Sequence, residues 1–320
     1  MTNTETGRVT PVYLDCGALM AALMTETPSL AAGLEVRQGD PTPDELTELL
    51  KNAEVVLNGH TLMDAAVLAS APKLRSIVFL GTGAASYVDL AEAARRDIQV
   101  RVVRGYGDRT VAEHAFGLLL AAARGFAAMD AELRAGKWDA REGVELRGKL
   151  LGVVGAGPIG AEMIRIAAGF GMRVAAWSRS DISADLPCQA MPLDDLLRES
   201  DALSVHLALT EETRGFFNAT RINLIKPGAL LVNVARGALF EEGALADALR
   251  SGRIRHAALD VFKTEPLPAD HPFTKLPNVT LTAHAAWKSR EASARLLHEA
   301  VTLAKADAAR LEAGATLAPQ

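Results

Sequence analysis

Residues 149–160 read Lys-Leu-Leu-Gly-Val-Val-Gly-Ala-Gly-Pro-Ile-Gly, a short apolar run that leads into the pattern Gly-x-Gly-x-x-Gly. The run before Gly155 predicts a buried strand. After Gly160 the apolar positions Met163, Ile164 and Ala167 recur at the spacing of a helix. The stretch therefore predicts a strand, a tight glycine turn and a helix, which together begin a βαβ unit.

The three glycines of this turn suit a dinucleotide. Gly155 can take the tight turn, Gly157 lets the backbone approach a pyrophosphate, and Gly160 lets the helix pack close to the strand. The N-terminus of the helix offers unpaired N–H groups to the phosphates. Methyltransferases carry similar turns, so the glycines alone leave the ligand open; the flanking strand and helix favour a dinucleotide.

Length, charge and cysteine content bound the class of protein. A chain of 320 residues predicts two domains. A net charge of -5 gives no positive field for nucleic acid or anionic lipid, and no apolar run has the length of a membrane span, so we expect neither partner. Cys16 and Cys188 are the only cysteines, and two lone thiols favour a reducing compartment, the cytoplasm. They lack metal-ligand spacing, so we expect no metal site.

Short apolar runs alternate with amphipathic stretches through both halves of the chain. This alternation predicts βαβ units, parallel sheets and an α/β fold with two doubly wound domains. Between the halves, Thr110–Arg124 predicts a helix that is apolar almost all round and needs cover from a second domain or subunit. We expect strands near residues 12–14, 34–36, 54–57, 75–80 and 98–103, and again near 174–177, 202–205, 230–234, 257–259 and 279–281.

Three charged residues follow predicted strands of the second half. They are Arg236, Glu265 and His284, and ligands of open α/β sheets bind beyond the carboxyl ends of the strands. An arginine matches a carboxylate, a histidine exchanges protons near neutral pH, and a carboxylate beside it favours the imidazolium. With a nicotinamide, they suit hydride transfer between a 2-keto acid and a 2-hydroxy acid. The alternatives are that Arg236 pairs with Glu241 or Glu242, and that His284 is bonded to backbone.

From about Val56 to Ala292 the chain resembles the D-isomer-specific 2-hydroxyacid dehydrogenase family, including its glyoxylate and hydroxypyruvate reductases. Six segments carry the resemblance in family order: Thr-Val-Ala-Glu-His-Ala (110–115), Glu-Leu-Arg-Gly-Lys-Leu-Leu-Gly-Val-Val-Gly-Ala-Gly-Pro-Ile-Gly (145–160), Ser-Val-His-Leu-Ala-Leu-Thr-Glu-Glu-Thr-Arg-Gly (204–215), Leu-Val-Asn-Val-Ala-Arg-Gly-Ala-Leu (231–239), Ala-Ala-Leu-Asp-Val-Phe-Lys-Thr-Glu-Pro-Leu-Pro (257–268) and Leu-Pro-Asn-Val-Thr-Leu-Thr-Ala-His-Ala-Ala-Trp (276–287).

The resemblance implies a role for each matched position. Arg236 would hold the substrate carboxylate and keto oxygen, His284 would be the acid–base residue and Glu265 its partner. Gly81, Thr82 and Gly83 would bind substrate together with Arg236, His284 and Trp287. The predicted cofactor contacts are Gly155, Gly157, Pro158, Ile159, Gly160, Ser178, Arg179, Ser180, His206, Thr210, Val234, Asp260 and Thr110.

The resemblance also implies a domain plan. A Rossmann cofactor domain, residues 104–288, would be inserted into a flavodoxin-like substrate domain made of residues 1–103 and 289–320. A homodimer is expected, with Thr110–Arg124 as the buried element.

Four positions depart from the family pattern. Gly83 leads into a loop one residue longer than usual, Ala208 replaces a proline, and Pro158 lies inside the glycine turn, where the first turn of a helix tolerates it. Ser178 stands where NAD enzymes place an acidic residue for the ribose hydroxyl, and Arg179 follows it. Because an arginine can pair with a 2′-phosphate, we predict that NADP(H) is favoured, with NAD(H) possible through Asp181 or through Arg179 stacking on adenine.

The sequence thus predicts an NAD(P)-dependent 2-hydroxyacid dehydrogenase working mainly as a 2-keto acid reductase. Trp287 favours a larger apolar substrate, unless it packs on the C-terminal helix. A formate-dehydrogenase-like activity is a weaker alternative, because that relative carries a glutamine in place of Glu265. A dinucleotide-binding, corepressor-like regulator is the alternative from another class, and retention of Arg236, Glu265 and His284 argues against it.

Overall fold

The computed structural model describes residues 8–317, and the chain divides into two compact units. The first comprises the residues up to Gly107 and those from Ser289 onward, and the second is Asp108–Lys288. The boundaries that the sequence suggests, after Val103 and after Lys288, lie within four residues of these divisions.

The first unit is a doubly wound parallel sheet. Its strand order β2-β1-β3-β4-β5 is that of flavodoxin-like folds. The three central strands, β1, β3 and β4, are buried on both faces, as is typical of parallel sheets. The elements before residue 108 are β1 (Val12–Cys16), α1 (Ala18–Glu26), α2 (Pro28–Ala31), β2 (Glu35–Gln38), α3 (Pro43–Leu50), β3 (Val55–Asn58), α4 (Ala65–Ala69), β4 (Ser76–Phe79), α5 (Leu90–Arg95) and β5 (Gln99–Val102).

The second unit is a seven-stranded parallel sheet of order β12-β11-β10-β9-β6-β7-β8, which contains the Rossmann arrangement. The predicted α/β class with two doubly wound sheets is confirmed. The elements are α6 (Asp108–Arg124), α7 (Phe126–Arg134), β6 (Leu150–Val154), α8 (Pro158–Phe170), β7 (Arg173–Trp177), β8 (Gln189–Ala190), α9 (Leu193–Glu199), β9 (Ala202–Val205), α10 (Ala219–Leu224), β10 (Ala229–Asn233), α11 (Glu242–Arg250), β11 (Ile254–Leu259) and β12 (Val279–Leu281).

The last helix, α12 (Arg290–Glu312), returns to the first unit and packs on β3 and β4. Its buried Asp307 accepts hydrogen bonds from Ser76 Oγ at 2.7 Å and from Arg101 Nε at 2.6 Å. This charged contact is buried, with Asp307 2% and Arg101 8% exposed. Because a buried carboxylate needs such partners, the contact specifies how the helix seats on the sheet.

Helix α6 is covered within its own unit. It packs on α8 and on β10, β11 and β12, and its apolar residues, among them Ala115 and Leu119, belong to that unit's core. The core therefore covers the face for which we expected a second domain or subunit. Within residues 8–317 no single helix has the length and apolarity to cross a membrane; α6 and α7 reach that threshold only together, and the chain bends by 63° between them.

Candidate active site

Arg236 lies directly beyond β10, in a turn that a buried side chain holds. Asn233 Nδ2 donates to the Arg236 carbonyl at 3.0 Å, and the Ala235 N–H donates to Asn233 Oδ1 at 3.0 Å. Gly237 follows, and a Cβ there would lie far inside 3.0 Å of the Phe262 backbone. Only glycine allows this approach of the turn after β10 to the segment after β11.

Glu265 and His284 form the central contact of the site. His284 Nδ1 lies 2.6 Å from Glu265 Oε2, and the Phe262 N–H donates to Glu265 Oε1 at 2.9 Å. The side chains are 40% and 35% exposed, which leaves the pair open to a ligand. Since a carboxylate only accepts, Nδ1 carries the proton of this bond and Nε2 is the nitrogen left for a substrate.

The turn that carries His284 is built on Asp260. The His284 N–H donates to the Asp260 carbonyl at 2.8 Å, and His284 itself has a φ of 49°, a left-handed conformation that a histidine seldom adopts. The fully buried Asp260 carboxylate accepts from the N–H groups of Ala285 and Ala286, both at 2.9 Å. These bonds hold a strained residue in place, as expected at a functional site.

The electrostatics of the pair favour a charged carboxylate. Burial raises the pKa of Glu265, but the hydrogen bonds from His284 and the Phe262 backbone and the charges of His284 and Arg236 outweigh it, so the pKa lies below its usual range. Glu265 is therefore ionised at neutral pH. Glu241 and Glu242, which we considered as partners of Arg236, accept instead from the N–H groups of Ala219 and Lys263.

The glycine turn fits a pyrophosphate. Gly155 has a φ of +101°, and a Cβ there would lie 2.8 Å from the His206 carbonyl; a Cβ at Gly160 would meet the Gly155 carbonyl far inside 3.0 Å. At Gly157 a Cβ would meet nothing within 4 Å. Gly157 caps α8 without any side-chain hydrogen bond, so Ile159 and Gly160 present their N–H groups to this open space.

Beyond β7, Ser178 and Ser180 border a cavity of about 310 Å³ that Asp181 also lines. The two hydroxyl oxygens lie 3.5 Å apart. Arg179 points to Glu212, with 3.5 Å between Nη1 and Oε2, and both side chains are largely exposed. Such an exposed ion pair is weak, so a phosphate can compete for the guanidinium.

The remaining predicted cofactor residues surround the same end of the sheet. His206 follows β9; its Nε2 lies 2.8 Å from Ser204 Oγ, its buried Nδ1 has no partner among residues 8–317, and burial lowers its pKa to about 4. Thr210 closes a turn with Thr213, whose Oγ1 accepts from the Thr210 N–H at 2.7 Å. Val234 follows β10, Thr110 lies in the first turn of α6, and Pro158 opens α8.

Gly81, Thr82 and Gly83 belong to the other unit, where they follow β4. Gly81 has a φ of +148°, and a Cβ there would lie 3.2 Å from the Phe79 ring. The loop continues from Gly83 into a short 3-10 helix, Ala84–Ser86. Trp287 belongs to the second unit and packs, half-buried, against its core.

Sequence reasoning missed Asn233, Gly237 and Thr282, the last of which donates its hydroxyl to Asp260. Each acts on the turns that carry Arg236 and His284 rather than on a ligand, and each lies within four residues of one of them in the sequence. Their proximity was the available signal. Within residues 8–317 no group of three or more His, Cys, Asp or Glu side chains is placed to hold a metal ion.

Comparison with known proteins identifies a family. The family described as D-isomer specific 2-hydroxyacid dehydrogenase, NAD binding domain, matches residues 116–286. A glyoxylate reductase of Aeropyrum pernix is 42% identical over 270 residues, which cover 79% of this chain and 80% of that protein. A hydroxypyruvate reductase of Thermotoga maritima is 37% identical over 269 residues, covering 82% of this chain and 87% of the relative.

Among solved structures, the TT0316 protein of Thermus thermophilus superposes with a TM-score of 0.84 at 34% identity, covering 97% of this chain and 99% of that one. The resemblance drawn from the six sequence segments is confirmed. Because these curated relatives are reductases, the regulatory alternative is not favoured.

Proposed function

The chain belongs to the D-isomer specific 2-hydroxyacid dehydrogenase family, and on that premise we propose that it works as a 2-keto acid reductase in which His284, Glu265 and Arg236 carry the chemistry. It is a nicotinamide-dependent oxidoreductase that acts on 2-hydroxy acids. The observation that carries the residue assignment is the 2.6 Å contact between His284 Nδ1 and Glu265 Oε2 beside the strand that precedes Arg236.

A bound nicotinamide supplies or accepts the hydride. Glu265 accepts a hydrogen bond from the Nδ1–H of His284, which orients the ring and stabilises the imidazolium. Nε2–H then donates its proton to the keto oxygen as that oxygen gains charge. In the oxidative direction the same nitrogen accepts the hydroxyl proton. Arg236 offers a planar pair of donors to the substrate carboxylate and polarises the carbonyl.

The acid–base assignment is tested with His284→Gln, assayed by NAD(P)H oxidation with the best keto acid. We expect kcat to fall by about 100-fold or more, and the cofactor Kd to change little. The matched control is His271→Gln, because His271 also pairs with a glutamate, Glu242, 3.5 Å away, where it caps the short 3-10 helix Pro272–Lys275. Wild-type kcat in the His284 variant overturns the assignment.

The substrates we propose are small 2-keto acids such as glyoxylate and hydroxypyruvate, by likeness to the curated relatives. A panel graded by side-chain size tests this. If kcat/KM rises steadily from glyoxylate to phenylpyruvate, the small-substrate proposal fails, and the larger pocket that Trp287 favours replaces it.

We propose NADPH as the preferred cofactor, supported by Ser178 in place of a carboxylate and by the weakly held Arg179. Arg179→Gln should lower kcat/KM for NADPH about tenfold and leave NADH nearly unchanged, because a charge-assisted bond to the 2′-phosphate is lost. Arg165→Gln is the control, since Arg165 forms similar exposed ion pairs with Glu162 and Asp185. A tenfold preference of the wild type for NADH contradicts the proposal.

We also propose a homodimer. Three exposed apolar side chains of the second unit support it: Phe126, Leu133 and Trp138 are 53%, 57% and 91% exposed on α7 and the segment after it. Trp138→Ser should shift sedimentation towards the 33.9 kDa monomer, whereas Leu62→Ser, at a 60% exposed leucine of the other unit, should not. A wild-type protein that sediments at 33.9 kDa refutes the dimer.

Two assignments complete the proposal. The unit formed by residues 1–103 and 289–320 would bind substrate through the N–H groups of Gly81–Gly83, and residues 104–288 would bind the cofactor. Residues 1–7 and 318–320 of this division lie outside the described residues. A cytoplasmic location is supported by the free thiols of Cys16 and Cys188.

A further inference from the structure

The Asp260 carboxylate has a third donor besides the N–H groups of Ala285 and Ala286. Thr282 Oγ1 lies 2.5 Å from Asp260 Oδ1. Thr282 comes directly after β12 and two residues before His284, so its hydroxyl ties the start of the His284 turn to the same buried carboxylate that holds the end of it. The turn is thereby fastened to one group on both sides.

His114, on helix α6, contacts the same group from the helix that packs on the sheet. Its Nε2 lies 3.2 Å from Thr282 Oγ1 and 3.6 Å from Asp260 Oδ1. The side chain is 27% exposed, so most of it is packed between the helix and the strand ends. No role in the proposed reaction accounts for it.

Hydrogen-bond stoichiometry gives the contact a direction. An ionised carboxylate only accepts, so Thr282 must give its single hydroxyl proton to Asp260. The threonine oxygen is then left as an acceptor, and the only way to satisfy its 3.2 Å contact is an N–H on His114 Nε2. The order of donation is His114 Nε2–H to Thr282 Oγ1–H to Asp260 Oδ1.

We propose that His114 is a positioning residue for the reaction: through Thr282 and Asp260 it holds the turn in which His284 adopts its left-handed conformation. The inference rests on the proposed function of His284. Loss of the Nε2–H leaves the Thr282 hydroxyl free to rotate and weakens its bond to Asp260. The turn then relaxes from its strained conformation, and the imidazole loses its alignment with Glu265 and the substrate.

Two substitutions, each of which mimics one ring nitrogen of His114, test the proposal. The amide nitrogen of glutamine reaches the position of Nε2, whereas that of asparagine reaches the position of Nδ1. We expect His114→Asn to lower kcat about tenfold with the keto acid KM within about twofold, and His114→Gln to retain at least half of the wild-type kcat. Thr282→Val should match His114→Asn, Thr282→Ser should match the wild type, and the double variant H114N/T282V should be no worse than either single variant.

A second histidine–threonine pair in the same sheet serves as a matched control. His256 Nε2 lies 2.8 Å from Thr280 Oγ1, a buried histidine–threonine pair between β11 and β12 that lies outside the His284 turn. We expect His256→Asn to lower the melting temperature and to leave kcat unchanged at temperatures where the protein is folded. This control separates loss of positioning from general loosening of the sheet.

Three results overturn the proposal: His114→Asn with wild-type kcat, His114→Gln as impaired as His114→Asn, or a KM increase at unchanged kcat. Failure of the underlying function is seen separately, because His284→Gln would then keep its activity whatever the His114 variants do.

Discussion

Alanine at two glycines of the same turn should have opposite effects on folding and on cofactor binding. At Gly157 a methyl group meets no protein atom within 4 Å, and the φ of -66° suits any residue. Alanine lowers the conformational entropy of the unfolded chain, which stabilises the fold by about 0.4–1 kcal/mol, and it is a poorer helix cap than glycine. These effects offset each other, so the free energy of unfolding should change by less than about 0.5 kcal/mol. The methyl group would instead occupy the space over the free N–H groups of Ile159 and Gly160.

The cost therefore falls on the ligand. A charge-assisted bond from a backbone N–H is worth about 1.5–3 kcal/mol, so the loss of one should raise the cofactor Kd by about 10- to 100-fold. At Gly160 the methyl group would press on the Gly155 carbonyl, which cannot yield without moving the turn. Such overpacking destabilises by about 1–3 kcal/mol and should lower the melting temperature by roughly 2–12 °C.

The assays are a thermal melt without cofactor and a titration of nicotinamide fluorescence. Gly169→Ala, in the exposed last turn of the same helix and with open space around it, is the control and should leave the cofactor Kd unchanged. An unaltered cofactor Kd in Gly157→Ala, or an unaltered melting temperature in Gly160→Ala, would refute the geometry on which the cofactor site rests.

Three further predictions concern the charged groups. Glu265→Gln should lower kcat for reduction about tenfold, because a neutral amide no longer stabilises the imidazolium; a kcat equal to that of the wild type contradicts this. Arg236→Lys should lower kcat/KM about 100-fold through loss of the paired donors, and a nearly normal kcat/KM would remove Arg236 from the site. The pKa of His256 is lowered to about 4, mainly by burial and further by the charges of Arg141 and Arg255. The histidine of the unfolded chain therefore takes up a proton near pH 6.5, whereas that of the folded chain does not. The free energy of unfolding should therefore fall by about 1 kcal/mol between pH 7.5 and 5.5, and denaturant titrations should show a smaller fall in His256→Gln; an equal fall contradicts the assignment.

Much of the fold was readable from the sequence because parallel strands are short apolar runs, and ten such runs were predicted in addition to the strand before Gly155. The two-residue β8 and the helices α2, α7 and α9 to α11 were missed. Helix α9 is largely polar, and α7 begins only after a left-handed Gly125 breaks the apolar pattern. Weak local patterns of this kind become elements through tertiary packing.

The order of residues along the chain by itself determined the two α/β units, the glycine turn and the placement of Arg236, Glu265 and His284 after neighbouring strands. These follow from period, spacing and residue type, which are local properties. Only the tertiary structure shows that the Phe262 backbone lies too close to Gly237 for any side chain at that position. Only the tertiary structure shows, too, that Asp260 binds both ends of the His284 turn. It alone also brought His114 to Thr282, 168 residues away. Such contacts depend on how helix α6 packs against the ends of the strands. Packing between segments that are distant in the sequence is set only when the chain is folded.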